Sequence, residues 1–290
     1  MGKVKFAVIG GDLRNVYVSR LLFGKNMLEC TYALGELEIE ACDCSEQFFD
    51  KFRTCKAVIG PIPFSNDGIN VNAPLCDEVI RIDSMLECME PGQILIGGKF
   101  QDHIYVKAES CGVRLVDILK REEMAVMNSV PTAEGAIQIA MEELPITLHG
   151  SNSLVLGYGR IAKVLSKMLI GLGSDVTVAA RRLDSREMAK IMGTNSCKIE
   201  EIPKYACKYD VVFNTIPQMI INEEMLDSFR SDCLIIDMAS KPGGIDFDTA
   251  RKLGIKGIWA LSLPGRVAPL TAADIIIKTA FNAINEMEGS

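Results

Sequence analysis

The stretch that decides the fold is SLVLGYGRIAKVLSKMLIGLGSDVTVAARR, residues 153–182. Its apolar run 154–156 leads into a G-x-G-x-x-A turn, and an apolar-periodic helix and a second strand pattern follow. In a dinucleotide-binding βαβ unit the first glycine permits the tight turn, the second admits the pyrophosphate, and the alanine lets the helix pack closely. The free N–H groups of such a helix bind phosphate. We therefore assign five residues to a cofactor site: Gly157, Tyr158, Gly159, Arg160 and Ile161.

The end of the second strand pattern indicates which dinucleotide is bound. An acidic residue there would bond the ribose hydroxyls of NAD, but it would repel a 2′-phosphate. This chain instead has Ala180, Arg181 and Arg182. Guanidinium groups pair with phosphate and stack on adenine. The pattern predicts NADP(H) rather than NAD(H), and the alternative for either arginine alone is a solvated surface side chain.

The rest of the chain repeats this alternation of strand and helix patterns, which is typical of parallel sheets. We predict helices at residues 14–23, 45–53 and 100–110. Strands are predicted at 4–9, 28–32, 57–59, 94–96 and 113–116, then at 154–156, 176–179, 211–214, 234–237 and 257–260. The expected fold class is α/β, with two doubly wound parallel-sheet (Rossmann-like) domains and a cleft between them.

The predicted domain boundary falls near residue 130. Pro131 and Pro145 bracket a helical pattern over residues 133–144. We therefore expect a flavodoxin/Rossmann-like substrate-side domain over residues 1–130 and an NADP-binding domain over 131–290, with 131–150 as a hinge helix. Near the end of the chain, Thr271 and Asp274 resemble a capping box that opens a last helix.

Composition excludes several classes of function. The 290 residues carry a formal net charge of −7 without a block of lysine or arginine, which argues against a nucleic-acid partner. No apolar run reaches the ~18–20 residues that span a bilayer, so no membrane partner is expected. MGKVKFAVIGGD enters a strand pattern within four residues, leaving no room for a signal peptide, and predicts a cytoplasmic protein.

The cysteines and histidines do not follow the spacing of known metal-binding or redox motifs. The ten cysteines form no C-x-x-C pair, and we expect reduced, mostly buried thiols and no metal. Of the two histidines, His103 is more simply a surface residue than a group in the cleft. His149 is expected to be structural.

Loops after later strands should border the same cofactor, because ligands bind beyond the carboxyl ends of parallel strands. Three loops meet this condition. They supply Thr215, Ile216 and Pro217, then Ala239 and Ser240, and finally Pro264 and Gly265.

Four longer stretches resemble the family of dipicolinate synthase A subunits from spore-forming bacteria. They are NSVPTAEGAIQIA, LVLGYGRIAKVLS, IDMASKPGGIDFDTARKLGIK and LPGRVAPLTAADII, and FAVIGGDLRNVYVSRLL fits that family's first strand and glycine loop. The resemblance covers essentially the whole chain. ASKPGGIDF with LPGRVAP is its specific part, since PTAEGAI and the glycine turn also recur in S-adenosylhomocysteine hydrolase and 2-hydroxy acid dehydrogenases. One departure is Leu270, where the family pattern has a basic residue that could hold a substrate carboxylate.

The resemblance implies an oxidoreductase that converts a dihydrodipicolinate-type intermediate of the lysine pathway to pyridine-2,6-dicarboxylate. A nicotinamide cofactor, which the arginine pair predicts to be NADP, would accept the hydride, in the mother cell of a sporulating bacterium. The implied partner is a flavoprotein-like B subunit of dipicolinate synthase, and a homo-oligomer is also compatible. Two alternatives remain: a 2-hydroxy acid dehydrogenase, which the lack of a histidine after His149 disfavours, and a non-catalytic NADP(H)-sensing subunit.

A dicarboxylate substrate needs cations or helix N-termini around it. Candidate groups lie at predicted strand ends and at the hinge: Gly11, Asp12, Arg14, Thr132, Ala133, Gly135 and Arg266 for substrate binding, with Lys241 and Glu134 as catalytic candidates. For each cation the alternative is a solvated surface charge. Glu134 would serve equally well as a base or as the cap of its own helix. The loop 60–74 is either a substrate-side lid or a plain surface loop.

Overall fold

The computed structural model describes residues 4–289, which divide into two compact units. The first unit is the chain up to Met127 together with the segment from Ala268 onward, and the second is Asn128–Val267. Each unit is built on a parallel β-sheet, so the predicted α/β fold class is confirmed.

The first unit carries a five-stranded sheet in the order β2-β1-β3-β4-β5, and all its pairings are parallel. Its strands are β1 (Phe6–Ile9), β2 (Leu28–Tyr32), β3 (Ala57–Ile59), β4 (Ile94–Gly97) and β5 (Arg114–Asp117). The helices between them are α1 (Leu13–Gly24), α2 (Ser45–Phe52), α3 (Ile82–Cys88) and α4 (Asp102–Ser110). This order is the flavodoxin-like one, whose switch point lies between β1 and β3.

The second unit carries a six-stranded parallel sheet in the order β11-β10-β9-β6-β7-β8. Its strands are β6 (Asn152–Leu156), β7 (Asp175–Ala179), β8 (Asn195–Cys197), β9 (Val211–Asn214), β10 (Leu234–Asp237) and β11 (Lys256–Trp259). Before, between and after them lie α5 (Glu122–Glu143), α6 (Arg160–Gly171), α7 (Leu183–Ile191), α8 (Glu223–Leu226), α9 (Phe247–Lys252) and α10 (Leu263–Val267). Counted along the chain, this is the strand order 3-2-1-4-5-6 of a dinucleotide-binding sheet, with its switch point between β6 and β9.

Alternation along the strands produces apolar cores on both faces of each sheet. In β1, Phe6 and Val8 join one cluster of buried side chains, whereas Ala7 and Ile9 join the other. In the second sheet, Val155 lies in one cluster and its neighbour Leu154 in the other. Strands that are buried on both faces explain the nearly continuous apolar runs in the sequence.

The last helix corrects the predicted domain division. Helix α11 (Pro269–Glu288) belongs to the first unit, where Ile276, Ile277 and Ala280 join the core cluster of β1 and α1. The boundary near residue 130 is close to the observed one, but residues 268 onward do not belong to the second unit. Sequence pattern shows only that α11 has an apolar face, and several buried faces could have accepted it.

The start of α11 also differs from the prediction. The helix begins at Pro269, with Ala268 as its N-cap and no side-chain capping bond. Thr271 and Asp274 therefore lie inside the helix, and Asp274 pairs with Lys278 at 2.7 Å. Proline at the first helical position has no N–H to leave unsatisfied, and this favours the earlier start.

The predicted hinge helix is longer than expected. Helix α5 begins at Glu122 and contains Pro131, where the sequence pattern predicts its N-terminal boundary. Proline lacks an N–H and usually interrupts a helix. Here buried side chains on both sides of it, Met124 in the first unit and Ala133 and Ala136 in the second, fix the helix against apolar cores.

Three wider properties of the described chain bear on function. Among residues 4–289 no helix combines the length and apolar character that crossing a bilayer requires. All ten cysteines are free thiols, but only four of them are buried, Cys30, Cys42, Cys55 and Cys233, so the prediction of mostly buried thiols is not met. Within the same residues no group of three or more His, Cys, Asp or Glu side chains could hold a metal ion.

Candidate nucleotide-binding site

The glycine turn joins β6 to α6 in the geometry that a dinucleotide requires. Gly157 has a φ of +92°, and a Cβ there would lie 2.7 Å from the hydroxyl oxygen of Thr215. That hydroxyl donates to the carbonyl of Leu156 at 2.7 Å, which ties the β9 loop to the turn. At Gly159 a Cβ would meet no atom within 4 Å, so open space lies beside the backbone at the start of α6. Ala162 is fully buried, and α6 packs closely against the sheet.

A cavity of about 420 Å³ opens beside this turn, at the switch point between β6 and β9. Seven of the residues predicted to bind the cofactor line it: Gly157, Tyr158, Gly159, Ala180, Arg181, Arg182 and Ile216. Three further lining residues were missed, namely Ser185, Ile199 and Gln218. A cavity of this size suits one nucleoside half of a dinucleotide.

The two predicted arginines are exposed at the rim of this cavity. Arg181 donates to the side-chain oxygen of Gln218 at 2.5 Å. Arg182, whose side chain is 78% exposed, donates twice to Asp184, at 2.5 and 3.0 Å. Hydrogen bonds from this guanidinium lower the pKa of the Asp184 carboxyl. Both contacts are solvent-exposed side-chain interactions, so a phosphate could displace them at low cost.

A third arginine, Arg186 in α7, stabilises the loop of residues 180–182, here called the arginine loop. Its guanidinium donates to the carbonyl oxygens of Ala180 at 2.9 Å and Arg181 at 2.7 Å. Sequence reasoning did not include it, although AARRLDSR shows a third basic residue four positions after the pair. Arg186 fixes the backbone on which the exposed guanidiniums are mounted.

The loops after β9 and β10 are joined by a buried polar network. Asp237 is fully buried and accepts hydrogen bonds from Asn214 Nδ2 at 2.8 Å, Ala239 N at 3.0 Å and Gly244 N at 2.7 Å. Asn214 also bonds both backbone polar groups of Ile216. Because buried polar groups need partners, the network fixes both loops. The sequence prediction placed these loops at the site but missed the two side chains that shape them.

Several other residues that the sequence assigned to the cofactor or to catalysis do not line the cavity. Arg160 and Ile161 open α6 directly after the turn, and Pro217 follows Ile216 on an exposed bend. In the β10 loop Ala239 is buried, whereas Ser240 and Lys241 are exposed.

The segment after β11 forms the short helix α10 rather than an open loop, and it contains Pro264, Gly265 and Arg266. The guanidinium of Arg266 is exposed. The apolar residues at the two ends of α10, Leu263 and Val267, lie against Gly135, where an added Cβ would come within 3.1–3.2 Å of their side chains.

The hinge residues are not at a helix N-terminus, which corrects their predicted role. Thr132, Ala133, Glu134 and Gly135 lie in the middle of α5, since that helix begins at Glu122. Thr132 donates to the carbonyl of Asn128 at 2.7 Å, and Ala133 is fully buried in the core. No free N–H groups remain there for a carboxylate, and Glu134, which is exposed, caps no helix end.

In the first unit, the glycine loop after β1 is closed by its own side chains. Asp12 caps α1 by accepting from the N–H of Arg14 at 3.0 Å, and it pairs with the guanidinium of Arg14 at 2.8 Å. The Arg14 side chain is only 13% exposed and also donates to the carbonyl of Ile62. Gly11 has a φ of +101°, with the Asn15 side chain directly beside it. These contacts orient Arg14 and leave its substrate role a prediction.

The loop 60–74 of the first unit has an internal hydrogen-bond network. Asp67 accepts from the N–H groups of Ile69 and Asn70 and from the Ser65 hydroxyl. These bonds hold the pKa of the Asp67 carboxyl well below its usual range. His103 is exposed, and its Nε2 lies 2.7 Å from the carbonyl of Gly68. The loop is ordered by its own polar groups.

Family models match both parts of the chain. Residues 5–119 match the N-terminal domain of the A subunit of dipicolinate synthase, and residues 138–256 match shikimate / quinate 5-dehydrogenase. The second match covers the glycine turn and the arginine loop. A dehydrogenase-type Rossmann unit implies a nicotinamide cofactor.

Whole-chain relatives agree with these matches. The A subunit of dipicolinate synthase from Bacillus subtilis is 31% identical over 98% of this chain and 97% of its own length. A crystal structure of the Bacillus halodurans A subunit superposes with a TM-score of 0.88 at 29% identity, covering 97% of this chain and 99% of that one. The corresponding Bacillus subtilis structure gives 0.87 at 29% identity, with 100% and 98% covered. The chain therefore belongs to the family of dipicolinate synthase A subunits.

Proposed function

We propose that this protein is an NADP-dependent dehydrogenase that forms pyridine-2,6-dicarboxylate from a dihydrodipicolinate-type precursor. The observation that carries the proposal is likeness to the A subunit of dipicolinate synthase across both units, with 98% of the chain covered. The glycine turn and the adjoining cavity add a place for a dinucleotide. The alternative of a 2-hydroxy acid dehydrogenase has only the shared fold in its favour.

The chemistry is an aromatisation. NADP, held by the glycine turn and the arginines after β7, would supply the acceptor for one hydride from a ring carbon of the dihydropyridine, and one proton would leave to solvent or a base. The ring would lose these two hydrogens, one as hydride and one as proton, and the product would be aromatic. The protein's contribution is orientation and electrostatics, because the redox chemistry belongs to the cofactor.

The preference for NADP is argued from charge at the end of β7. Arg181 and Arg182 are exposed at the cavity rim, and Arg186 bonds the backbone beneath them. Asp184 is the acidic group in this loop, and in the structure it is engaged by Arg182. A 2′-phosphate would pair with the guanidiniums bidentately, which a ribose hydroxyl cannot do.

Substrate-side roles are proposed for three exposed charged side chains of the second unit, Lys241, Arg266 and Glu134. Lys241 lies between Ser240 and the glycines that pack on the Asp237 network, and it is exposed and free of hydrogen bonds among residues 4–289. We assign it to a substrate carboxylate near the reacting carbon. Arg266 in α10 is the further carboxylate partner. Glu134 is exposed on α5 and is proposed to take the proton.

Partner and location follow from the same likeness. An A subunit implies a second component, so we propose a complex with the flavoprotein-like B subunit of dipicolinate synthase. The reaction would take place in the mother cell cytoplasm during sporulation. Leu270 is 51% exposed in the first turn of α11, at the position where the family pattern carries a basic residue. Because leucine cannot pair with a substrate carboxylate, another cation would have to make that contact in this protein.

Turnover tests the proposal directly. The purified chain, with and without the B subunit, is supplied with dihydrodipicolinate generated in situ and NADP. We expect absorbance of the reduced nicotinamide and the pyridine product to rise in equal amounts. Tight binding of NADP without turnover in either preparation would instead favour a nucleotide-sensing role. Turnover with a 2-hydroxy acid but not with dihydrodipicolinate would favour the other alternative.

The arginine pair gives a test of cofactor choice. Replacing Arg181 and Arg182 with alanine removes hydrogen bonds to a charged phosphate, each worth about 1.5–3 kcal/mol. We expect the double variant to lose NADP affinity by about 100-fold or more and NAD affinity to change less than about threefold. Arg251→Ala is the control, since that arginine is 80% exposed and pairs with Asp248 on α9. Equal losses for both nucleotides would contradict the 2′-phosphate assignment.

A further inference from the structure

A second, smaller cavity lies in the nucleotide-binding unit between α6 and α7, and no role above uses it. Its volume is about 230 Å³. Drug-sized ligands occupy about 300–1,000 Å³, so this cavity fits a molecule with one ring rather than a dinucleotide. Tyr158 borders both this cavity and the larger one at the glycine turn.

Two buried hydroxyls in the cavity wall have no partner. Ser166 is 3% exposed and Thr194 is 7% exposed, and both line the cavity. Neither hydroxyl oxygen makes a hydrogen bond to any described residue. A buried serine inside a helix can bond the carbonyl four residues earlier, and a buried hydroxyl that makes no hydrogen bond is costly. Two such groups in one cavity indicate polar atoms supplied by something that binds there.

The cavity also has a cationic side. Lys163 and Lys167 line it from one face of α6, where Ser166 lies between them in sequence. The ammonium of Lys163 is 5.6 Å from the ring centroid of Tyr158. Lys167 is exposed and has no acidic partner among residues 4–289. Cations beside hydroxyl groups are the partners that a carboxylate requires.

The remaining walls are apolar and suited to a flat ring. Ile170 contributes from α6, and Met188 and Met192 contribute from α7 and its C-terminal cap. Methionine sulfur makes favourable contacts at the edges of aromatic rings and adapts to ligand shape. The Tyr158 ring supplies an aromatic surface on the same cavity.

From this combination we infer that the cavity between α6 and α7 is a binding site for a small monocyclic aromatic carboxylate. The ring lies between Tyr158 and the two methionines, and the carboxylate meets the lysines and the hydroxyls of Ser166 and Thr194. The site is separate from the nucleotide cavity, although one tyrosine borders both. The inference rests on the cavity itself and does not require the proposed dehydrogenase activity.

The test uses the full chain labelled with ¹³C at its methionine methyl groups, titrated with pyridine-2,6-dicarboxylate and, separately, with benzoate. Ring currents should shift the Met188 and Met192 signals saturably, and the variants Met188→Leu and Met192→Leu assign those signals. Saturable shifts confined to methionines outside the cavity, or no shift with either probe up to millimolar concentration, would overturn the inference.

Variants of the polar wall make the test specific. Ser166→Ala and Thr194→Val should each weaken probe binding about tenfold, because each removes a hydrogen bond to a charged group. Neither should lower the melting temperature, since each removes an unpaired buried hydroxyl. Ser228→Ala is the matched control, because that hydroxyl bonds the carbonyl of Met225 away from the cavity. Unchanged probe affinity in both wall variants would refute the assignment.

The lysines are tested by Lys163→Met and Lys167→Met, with Lys190→Met as control, since Lys190 pairs with Glu187 on α7. Only the first two should weaken the probes. NADP affinity measured on the same samples separates the two proposals. If NADP binds but the probes do not shift the Met188 and Met192 signals, only the cavity inference is refuted. If the probes shift those signals but NADP does not bind, only the proposed dehydrogenase function is refuted.

Discussion

Replacing Asp237 with asparagine should destabilise the nucleotide-binding unit, by an amount that the hydrogen-bond geometry sets. The carboxylate is fully buried, with one oxygen accepting from Asn214 and Ala239 and the other accepting from Gly244. An asparagine has one acceptor oxygen and one NH₂ group. Whichever way the amide turns, at least one donor on the protein then faces another donor.

The lower-energy orientation keeps the oxygen toward Asn214 and Ala239, and leaves the N–H of Gly244 unpaired. A buried donor without a partner costs about 1–3 kcal/mol. The two remaining bonds lose their charge-assisted character, which is worth about a further 1 kcal/mol. We therefore expect Asp237→Asn to lower the free energy of unfolding of this unit by about 3 kcal/mol.

The chain's single tryptophan makes the measurement local. Trp259 donates its indole N–H to the carbonyl of Ala239 at 3.0 Å, next to the network. Its fluorescence during urea denaturation should report a lower midpoint for Asp237→Asn, together with weaker NADP binding. Asp248→Asn is the control, because that carboxylate is 83% exposed and should change stability by less than about 0.5 kcal/mol. Equal midpoints for wild type and Asp237→Asn would refute the structural role of the network.

Three other substitutions test separate parts of the structure. Arg186→Ala should weaken NADP binding about tenfold, because the carbonyls of Ala180 and Arg181 lose their hydrogen-bond donor, and Arg186→Lys should restore little because an ammonium lacks the planar geometry of the guanidinium. Calorimetry measures the NADP affinity of both variants, and wild-type affinity in the alanine variant would contradict the positioning role. Burial raises the pKa of Tyr209 to about 12 from its ordinary value of 10.0, so the stability that its neutral hydroxyl contributes below pH 10 should be lost as the pH rises toward 12. Denaturation midpoints over this pH range should fall less for Tyr209→Phe than for wild type, and identical pH profiles would show that ionisation of Tyr209 does not affect stability. Ile276→Ala should cost the first unit about 2–5 kcal/mol while leaving the Trp259 transition of the second unit in place, and a shift of that transition alone would contradict the assignment of α11 to the first unit.

Sequence alone located most of the fold because its signals are local. The predicted strands at 28–32, 57–59, 211–214 and 234–237 coincide with β2, β3, β9 and β10. Strands buried on both faces need continuous apolar runs, and a backbone that turns tightly beside a phosphate needs glycine, so both are visible without coordinates. The edge strand β8, NSC, was missed because its three residues carry no apolar run.

The site was predicted in part for the same reason. The turn from Gly157 to Gly159 and the arginine pair belong to one continuous βαβ pattern, and the structure gathers them around one cavity. Ile199 and Gln218 reach the same cavity from later segments of the chain. Neither residue belongs to a recognisable motif, so only the folded chain shows that they border the site.

The sequence by itself determined the strand pattern, the dinucleotide turn and the arginine loop after β7, since each depends on residues that are neighbours in the chain. Only the tertiary structure decided that α11 returns to the first unit, that α5 continues through Pro131, and that Asp237 joins two loops. These outcomes depend on which buried surfaces and which distant polar groups meet. An apolar face or a carboxylate shows in the sequence only that it needs a partner, and the fold supplies that partner.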